Sequence, residues 1–164
     1  MEKFTSQQVY RAIDNAAARL GYSSVKAKQR AAIEAFVAEG KDVFVSLPTG
    51  YGKSLCYTLL PWVFDELRGE KNTSIVLCVS PLTSLMIDQR QKYEPRGIAA
   101  EFVGGVQEDV GVVEKIEKGC YQLVYISPES LLGDNRWREM LRGDVYQKNL
   151  VGFCIDESHC VKKW

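Results

Sequence analysis

Leu47-Pro48-Thr49-Gly50-Tyr51-Gly52-Lys53-Ser54 sets two glycines beside a lysine and a hydroxyl, a combination suited to holding a polyphosphate. Triphosphate is a dense anion. Successive backbone N–H groups and a helix N-terminus offer it fixed partial positive charge. Glycine at 50 and 52 lets the backbone close on the phosphates with no Cβ in the way. In that reading Lys53 places a point charge on the β- and γ-phosphates, and the Ser54 hydroxyl ligates Mg²⁺. The strict GxxxxGKS/T spacing asks for glycine at 47, where leucine stands. The plainer alternative is a glycine-rich loop that caps a helix.

Ile155-Asp156-Glu157-Ser158-His159 closes an apolar run with two carboxylates. Asp156 there can hold hydrated Mg²⁺ opposite Ser54, and Glu157 can orient or deprotonate an attacking water. Both act on one phosphate only if their strand neighbours the one before the phosphate loop. The alternative is an acidic helix N-terminus. His159 is the single histidine of the chain, and its place two residues past Glu157 suggests a relay between ATP and a second ligand.

These groups need elements to carry them. Thr5 and Gln8 have capping-box spacing, and Val9, Ile13, Ala16 and Leu20 follow at helical period up to Gly21. A second helical pattern carries Ile33, Phe36 and Val37 and stops at Gly40. Residues 42–47 read as a short buried strand ahead of the phosphate loop, 53–60 as a helix ending near Pro61, and 62–64 as part of another. Further strands are expected at 74–80, 99–103, 122–127 and 151–156. Helices are expected after Pro81, at 106–118 and through 137–141. Continuous apolar strands alternating with helices predict an α/β fold, a parallel sheet with helices on both faces and right-handed crossovers. Ligands of such sheets sit at the carboxyl ends of the strands. Ser46-Leu47, Ser80-Pro81, Ser127-Pro128 and Asp156-Glu157 all fall at such ends.

Composition sets bounds. The 164 residues suit one domain, and 46% of them are apolar, enough for a core. The 21 basic residues balance 21 acidic ones, so composition gives no basic face and a nucleic-acid partner has to be argued from particular residues. Of the five cysteines, Cys56, Cys78 and Cys154 sit in apolar runs, which reads as reduced, buried thiols. Cys154, His159 and Cys160 lack zinc-site spacing. The polar first ten residues and the short apolar runs predict a soluble, intracellular protein.

The quoted segments together resemble one family. Pro48-Thr49-Gly50-Tyr51-Gly52-Lys53-Ser54-Leu55-Cys56-Tyr57 resembles the PTGGGKSLCYQLP signature of RecQ-like ATP-dependent DNA helicases. Val79-Ser80-Pro81-Leu82-Thr83-Ser84-Leu85-Met86-Ile87-Asp88-Gln89 is similar to their SPLxSLMxDQ motif, and Tyr125-Ile126-Ser127-Pro128-Glu129 to a (Y/F)xxPE element. Asp156-Glu157-Ser158-His159-Cys160-Val161 with Trp164 resembles DEAHCxxxW, and Val25-Lys26-Ala27-Lys28-Gln29 sits where the family has FRxxQ. The resemblance runs from about Gly21 to Trp164. It implies an N-terminal helical segment at 1–22 and, at 23–164, an incomplete first RecA-like domain of the P-loop NTPase fold, truncated at its C-terminus.

What the resemblance implies for the site is specific. ATP and Mg²⁺ are the cofactors. Gln29 reads the adenine edge, since an amide both donates and accepts. Pro48, Thr49, Gly50, Tyr51, Gly52, Lys53, Ser54 and Leu55 hold the nucleotide, with Ser54 and Asp156 on the metal. Lys53, Asp156, Glu157 and His159 form the catalytic set, His159 coupling ATP state to DNA. Ser80, Pro81, Leu82 and Ser127 grip single-stranded DNA through its phosphates, which reconciles a DNA partner, single-stranded or a junction, with zero net charge. A eukaryotic source implies the nucleus.

Departures from the family pattern are Lys26 for arginine, Tyr51 for glycine, Ser158 for alanine, and Lys162 and Lys163 for Ser-Gln. Lysine cannot reproduce the planar fork of arginine. The second RecA-like lobe with its arginine finger is not found before Trp164, so the expectation for these 164 residues alone is weak ATP binding and no unwinding. Two other functions fit the same segments: a non-catalytic nucleotide-binding or interaction remnant, and a piece of a DEAD-box-type RNA helicase. The latter usually shows PTRELAxQ where this chain has Ser80-Pro81-Leu82-Thr83-Ser84-Leu85-Met86.

Overall fold

Helical spacing near the start of the chain becomes helix as expected. The computed structural model describes residues 3–47, 52–80, 91–92, 94–103 and 109–155. The chain divides into two compact units, Met1–Ser74 and Ile75–Trp164.

The first unit holds α1 (Ser6–Arg19), α2 (Ala27–Val37), α3 (Leu55–Thr58) and α4 (Leu60–Arg68). The capping box of α1 is formed. Thr5 Oγ1 accepts from the Gln8 N–H at 3.1 Å, and Gln8 Oε1 accepts from the Thr5 N–H at 2.9 Å. The period-3.6 stripe Val9, Ile13 and Ala16 is buried, while the opposite face of α1 carries Asp14 to an ion pair with Arg30 and Asn15 to Glu66 at 2.7 Å. Pro61 lies in the first turn of α4, where its missing N–H costs nothing, and Gly69 ends the helix in the left-handed region at φ +66°. Asp65, buried on α4, accepts from the Ser74 N–H at 2.8 Å and from Thr73 Oγ1 at 3.1 Å, which holds the chain returning from α4.

One expectation fails here. Residues 42–47 form no strand, and Phe44 is 82% exposed. An apolar run states a preference for burial. A strand also needs a partner for its N–H and C=O groups, and the run does not supply one.

The second unit is a parallel sheet of β1 (Ile75–Val79), β2 (Ala100–Val103), β3 (Leu123–Ile126) and β4 (Leu150–Ile155), in the order β2-β3-β1-β4. These are the four strands expected from the apolar runs beyond residue 74. Alternate residues point to opposite faces, and both faces of β1 and β3 are buried, as parallel sheets require. On one face Ile75, Leu77 and Val79 of β1 and Val124 and Ile126 of β3 meet Val113 and Ile116 of α5 (Val110–Glu117), Trp137 and Met140 of α7 (Asn135–Arg142) and Tyr146 of α8 (Asp144–Asn149).

Between β3 and α7 lies α6 (Pro128–Gly133), which the apolar pattern did not indicate; α8 was likewise unforeseen. The start signals of α6 were in the sequence all the same: Ser127 is its N-cap, accepting from the Ser130 N–H at 3.2 Å, and Pro128 occupies its first turn. Cys56 and Cys78 are buried, and Cys154 is half-buried. Among the described residues no helix is long and apolar enough to cross a membrane.

Tyr146 closes the cluster with a buried O–H donating to the Ile116 carbonyl at 2.6 Å. Burial raises its pKa above the ordinary 10.0. The folded state therefore holds the neutral phenol where the unfolded chain has begun to ionise. This contribution is intact below pH 10.0 and falls as pH rises above it. Tyr146→Phe is expected to cost about 0.5–1.5 kcal/mol, the net worth of one hydrogen bond, since the Ile116 carbonyl keeps the Gly119 N–H at 3.0 Å, and to remove that share of the alkaline fall. Urea unfolding on both sides of pH 10.0 checks it.

Candidate functional site

The first cluster is built on α2 and the start of α3. Gln29 sits in the first turn of α2 and is only 3% exposed. Its Oε1 accepts from the Lys26 N–H at 3.0 Å, satisfying one of the donors a helix start leaves without a partner. Its Nε2 donates to the Gly52 carbonyl at 2.9 Å, across 23 residues of sequence. That carbonyl also accepts from the Leu55 N–H at 3.1 Å. The Lys53 and Ser54 carbonyls accept from Cys56 and Thr58 N–H at 3.1 and 3.0 Å, so Lys53-Ser54 opens the helical run that continues through α3 into α4. Both residues are half-buried, whereas Leu55 turns its side chain into the core. The sequence-predicted residues Gln29, Gly52, Lys53 and Ser54 are thus neighbours, while Pro48, Thr49, Gly50 and Tyr51 lie outside the described residues.

The second cluster is an edge of the sheet. β1 connects toward β2 on one side, and β3 connects toward β4 on the other. Open α/β sheets bind ligands at the carboxyl ends of their strands, and the ends of β1 and β3 adjoin here. Ser80 and Ser127 stand there, one residue beyond the paired Val79 and Ile126, and the Ser80 N–H donates to the Ile126 carbonyl at 3.0 Å. Ser80 is 1% exposed and its Oγ has no hydrogen-bond partner among the described residues. The Ser127 hydroxyl is engaged in capping α6 and bonds Ser130 Oγ at 2.9 Å. Ile155 of β4 is in register with Val79, which brings a third strand to the same edge. The residues that follow, Asp156, Glu157 and His159, lie outside the described residues, as do Pro81 and Leu82.

Among the described residues no group of three histidines, cysteines or acids could hold a metal. The one described candidate ligand, Ser54, is a neutral oxygen, and this fits Mg²⁺, a hard cation that keeps several waters and takes one or two protein oxygens beside substrate phosphates. Sequence reasoning selected Gln29 and Gly52 separately. It missed that they bond each other, for a lack of any signal that spans 23 residues. The capping role of Ser127 had a signal, the Ser-Pro pair at a strand end.

The family model described as DEAD/DEAH box helicase matches residues 26–164. The curated ATP-dependent DNA helicase Q-like SIM of Arabidopsis thaliana is 36% identical over 146 residues, covering 89% of this chain and 16% of that protein. ATP-dependent DNA helicase RecQ of Haemophilus influenzae is 33% identical, covering 100% of this chain and 24% of that protein. The probable ATP-dependent DNA helicase RecS of Bacillus subtilis is 36% identical over 88% of this chain and 27% of its own length. The chain thus spans about a quarter or less of the relatives it matches. In three dimensions it is similar to the DUF1998 helicase MrfA, solved bound to DNA and AMPPNP, with a TM-score of 0.73 at 20% identity over 97% of this chain and 22% of that one. At that identity the likeness establishes the shared fold.

Proposed function

The chain belongs to the DEAD/DEAH box helicase family, and on that premise we propose that it supplies the ATP-binding part of a RecQ-like DNA helicase that moves 3′–5′ along single-stranded DNA. The observation that carries this reading is the hydrogen bond from Gln29 to Gly52, because it sets the side chain assigned to adenine beside the peptide that precedes Lys53 and Ser54.

In this reading Gln29 recognises the base. The Lys53 ammonium, with the backbone N–H groups of the loop, holds the β- and γ-phosphates. Ser54 and Asp156 hold Mg²⁺, which when bound neutralises phosphate charge. Glu157 orients the attacking water, and His159 passes the nucleotide state to the DNA side. Ser80, Pro81, Leu82 and Ser127 meet DNA phosphates at the sheet edge, where hydroxyls and N–H groups position a backbone without a basic surface. The DNA reading is favoured over RNA because the curated relatives quoted above are named DNA helicases. Unwinding needs a second lobe closing on the nucleotide to grip and release DNA, so it is not assigned to these residues alone. In a eukaryotic cell such a helicase works in the nucleus, on DNA repair or recombination.

Equilibrium titration of the 164-residue chain with fluorescent ATP and Mg²⁺ is expected to saturate, and unlabelled ATP to displace the probe better than GTP. Absence of saturation overturns the nucleotide reading and leaves a non-catalytic interaction module. Strand separation by these residues alone is expected to be absent, and robust DNA-stimulated turnover overturns that part.

A further inference from the structure

We infer that Gln29 is a positioning residue for the phosphate loop in addition to serving the base, because its carboxamide fixes the orientation of the Gly52–Lys53 peptide; the inference rests on the nucleotide reading above. The Gly52 carbonyl is held from two sides, by Gln29 Nε2 at 2.9 Å and by the Leu55 N–H at 3.1 Å. A trans peptide is planar, so its N–H points opposite to its C=O. With the carbonyl turned to Gln29, the Lys53 N–H points away from Gln29. The same bond keeps the carbonyl dipole from swinging toward an incoming anion. The other end of the amide is anchored on the Lys53-independent frame of α2, through the Lys26 N–H at 3.0 Å. Burial of Gln29 makes the link hard to exchange for water.

Gly52 is matched to this role. Its φ is +87°, and a Cβ built on it would stand 2.6 Å from Gln29 Nε2. A side chain at 52 would therefore break the link to Gln29 whatever it did to the phosphates. Base and phosphate recognition are coupled through one amide.

The consequence is measurable with a ligand that has no base. Magnesium tripolyphosphate is expected to bind Gln29→Ala about three- to tenfold more weakly than the wild-type chain, the size of one lost hydrogen bond. Equal affinity for tripolyphosphate, with only ATP weakened, overturns the inference and leaves Gln29 as a reader of the base. A second measurement needs no ligand. Gln29→Glu keeps the acceptor for the Lys26 N–H and loses the donor to Gly52. Amide hydrogen exchange is expected to quicken at Lys53 and Leu55 in this variant and to stay unchanged in the first turn of α2. Gln29→Met, which fills similar space without a polar end, should quicken both. Wild-type exchange at Lys53 and Leu55 in both variants overturns the inference. If the wild-type chain binds neither ATP nor tripolyphosphate, the nucleotide reading fails, and the exchange measurement still decides whether the link orders the loop.

Discussion

Lys53→Ala is expected to weaken magnesium–ATP binding by about 2 kcal/mol or more, some 30-fold in Kd, because a charge-assisted contact to phosphate is lost. Lys53 is half-buried at the start of the helical run, so truncation removes little core and the variant should stay folded. Circular dichroism unchanged from wild type establishes that. Asp156→Asn gives the companion result. If Asp156 and Lys53 serve one magnesium–triphosphate, the asparagine variant should bind ATP equally with and without Mg²⁺, whereas Lys53→Ala should lower both affinities. A magnesium response left intact in Asp156→Asn places the carboxylate away from the ion and sinks the shared-site geometry. Isothermal titration with and without metal distinguishes the outcomes.

The sequence was most informative where one residue type has one physical use. Thr5 with Gln8 could be read directly, since capping depends on a few neighbours; Pro61, expected to end a helix, instead lies in the first turn of α4, because the same residue punctuates both a helix end and a helix start. The four strands from residue 75 onward were legible because runs such as Ile75-Val76-Leu77-Cys78-Val79 have no polar face to offer water. Residues 42–47 show the limit of the same cue: Val43, Phe44 and Val45 match a strand in type, but pairing is a property of two segments and only one was in view. α8 was missed for a related reason. Asp144-Val145-Tyr146-Gln147-Lys148-Asn149 has one deeply buried side chain, Tyr146, too few for periodicity to register.

For the site, residue types were legible and their bonds were not. Gln29, Gly52, Lys53 and Ser54 could be chosen by chemistry, and their adjacency follows from α2 lying beside the start of α3. Ser80 and Ser127 could be placed at strand ends; that they end adjacent strands depends on the order β2-β3-β1-β4, which no local pattern encodes. The order matters for function. It sets Ser80 Oγ, buried and without a hydrogen-bond partner among the described residues, at the same sheet edge as the N-cap of α6.

That edge of the sheet is supported by the helices packed on one of its faces, and Trp137→Ala should show how strongly. Trp137 is 5% exposed in the cluster that joins α5, α7 and α8 to β1 and β3. Deleting a buried indole costs about 3–5 kcal/mol, from lost transfer energy and the cavity left behind. A domain has only about 5–15 kcal/mol in total, so the variant should lie near the edge of folding. Urea midpoints followed by circular dichroism should drop by about 1–3 M. Trp137→Phe keeps an apolar ring in the site and should lose less than half as much. Hydrogen exchange locates the damage: β1 and β3 amides should lose protection first, because Leu77, Val79, Val124 and Ile126 share the cluster with Trp137. Ser80 and Ser127 hang from the ends of those two strands, so a loosened β1–β3 register should weaken any DNA contact made there. A midpoint shift below that of Trp137→Phe would mean that α7 merely rests on the sheet, and that the edge owes its geometry to the strands alone.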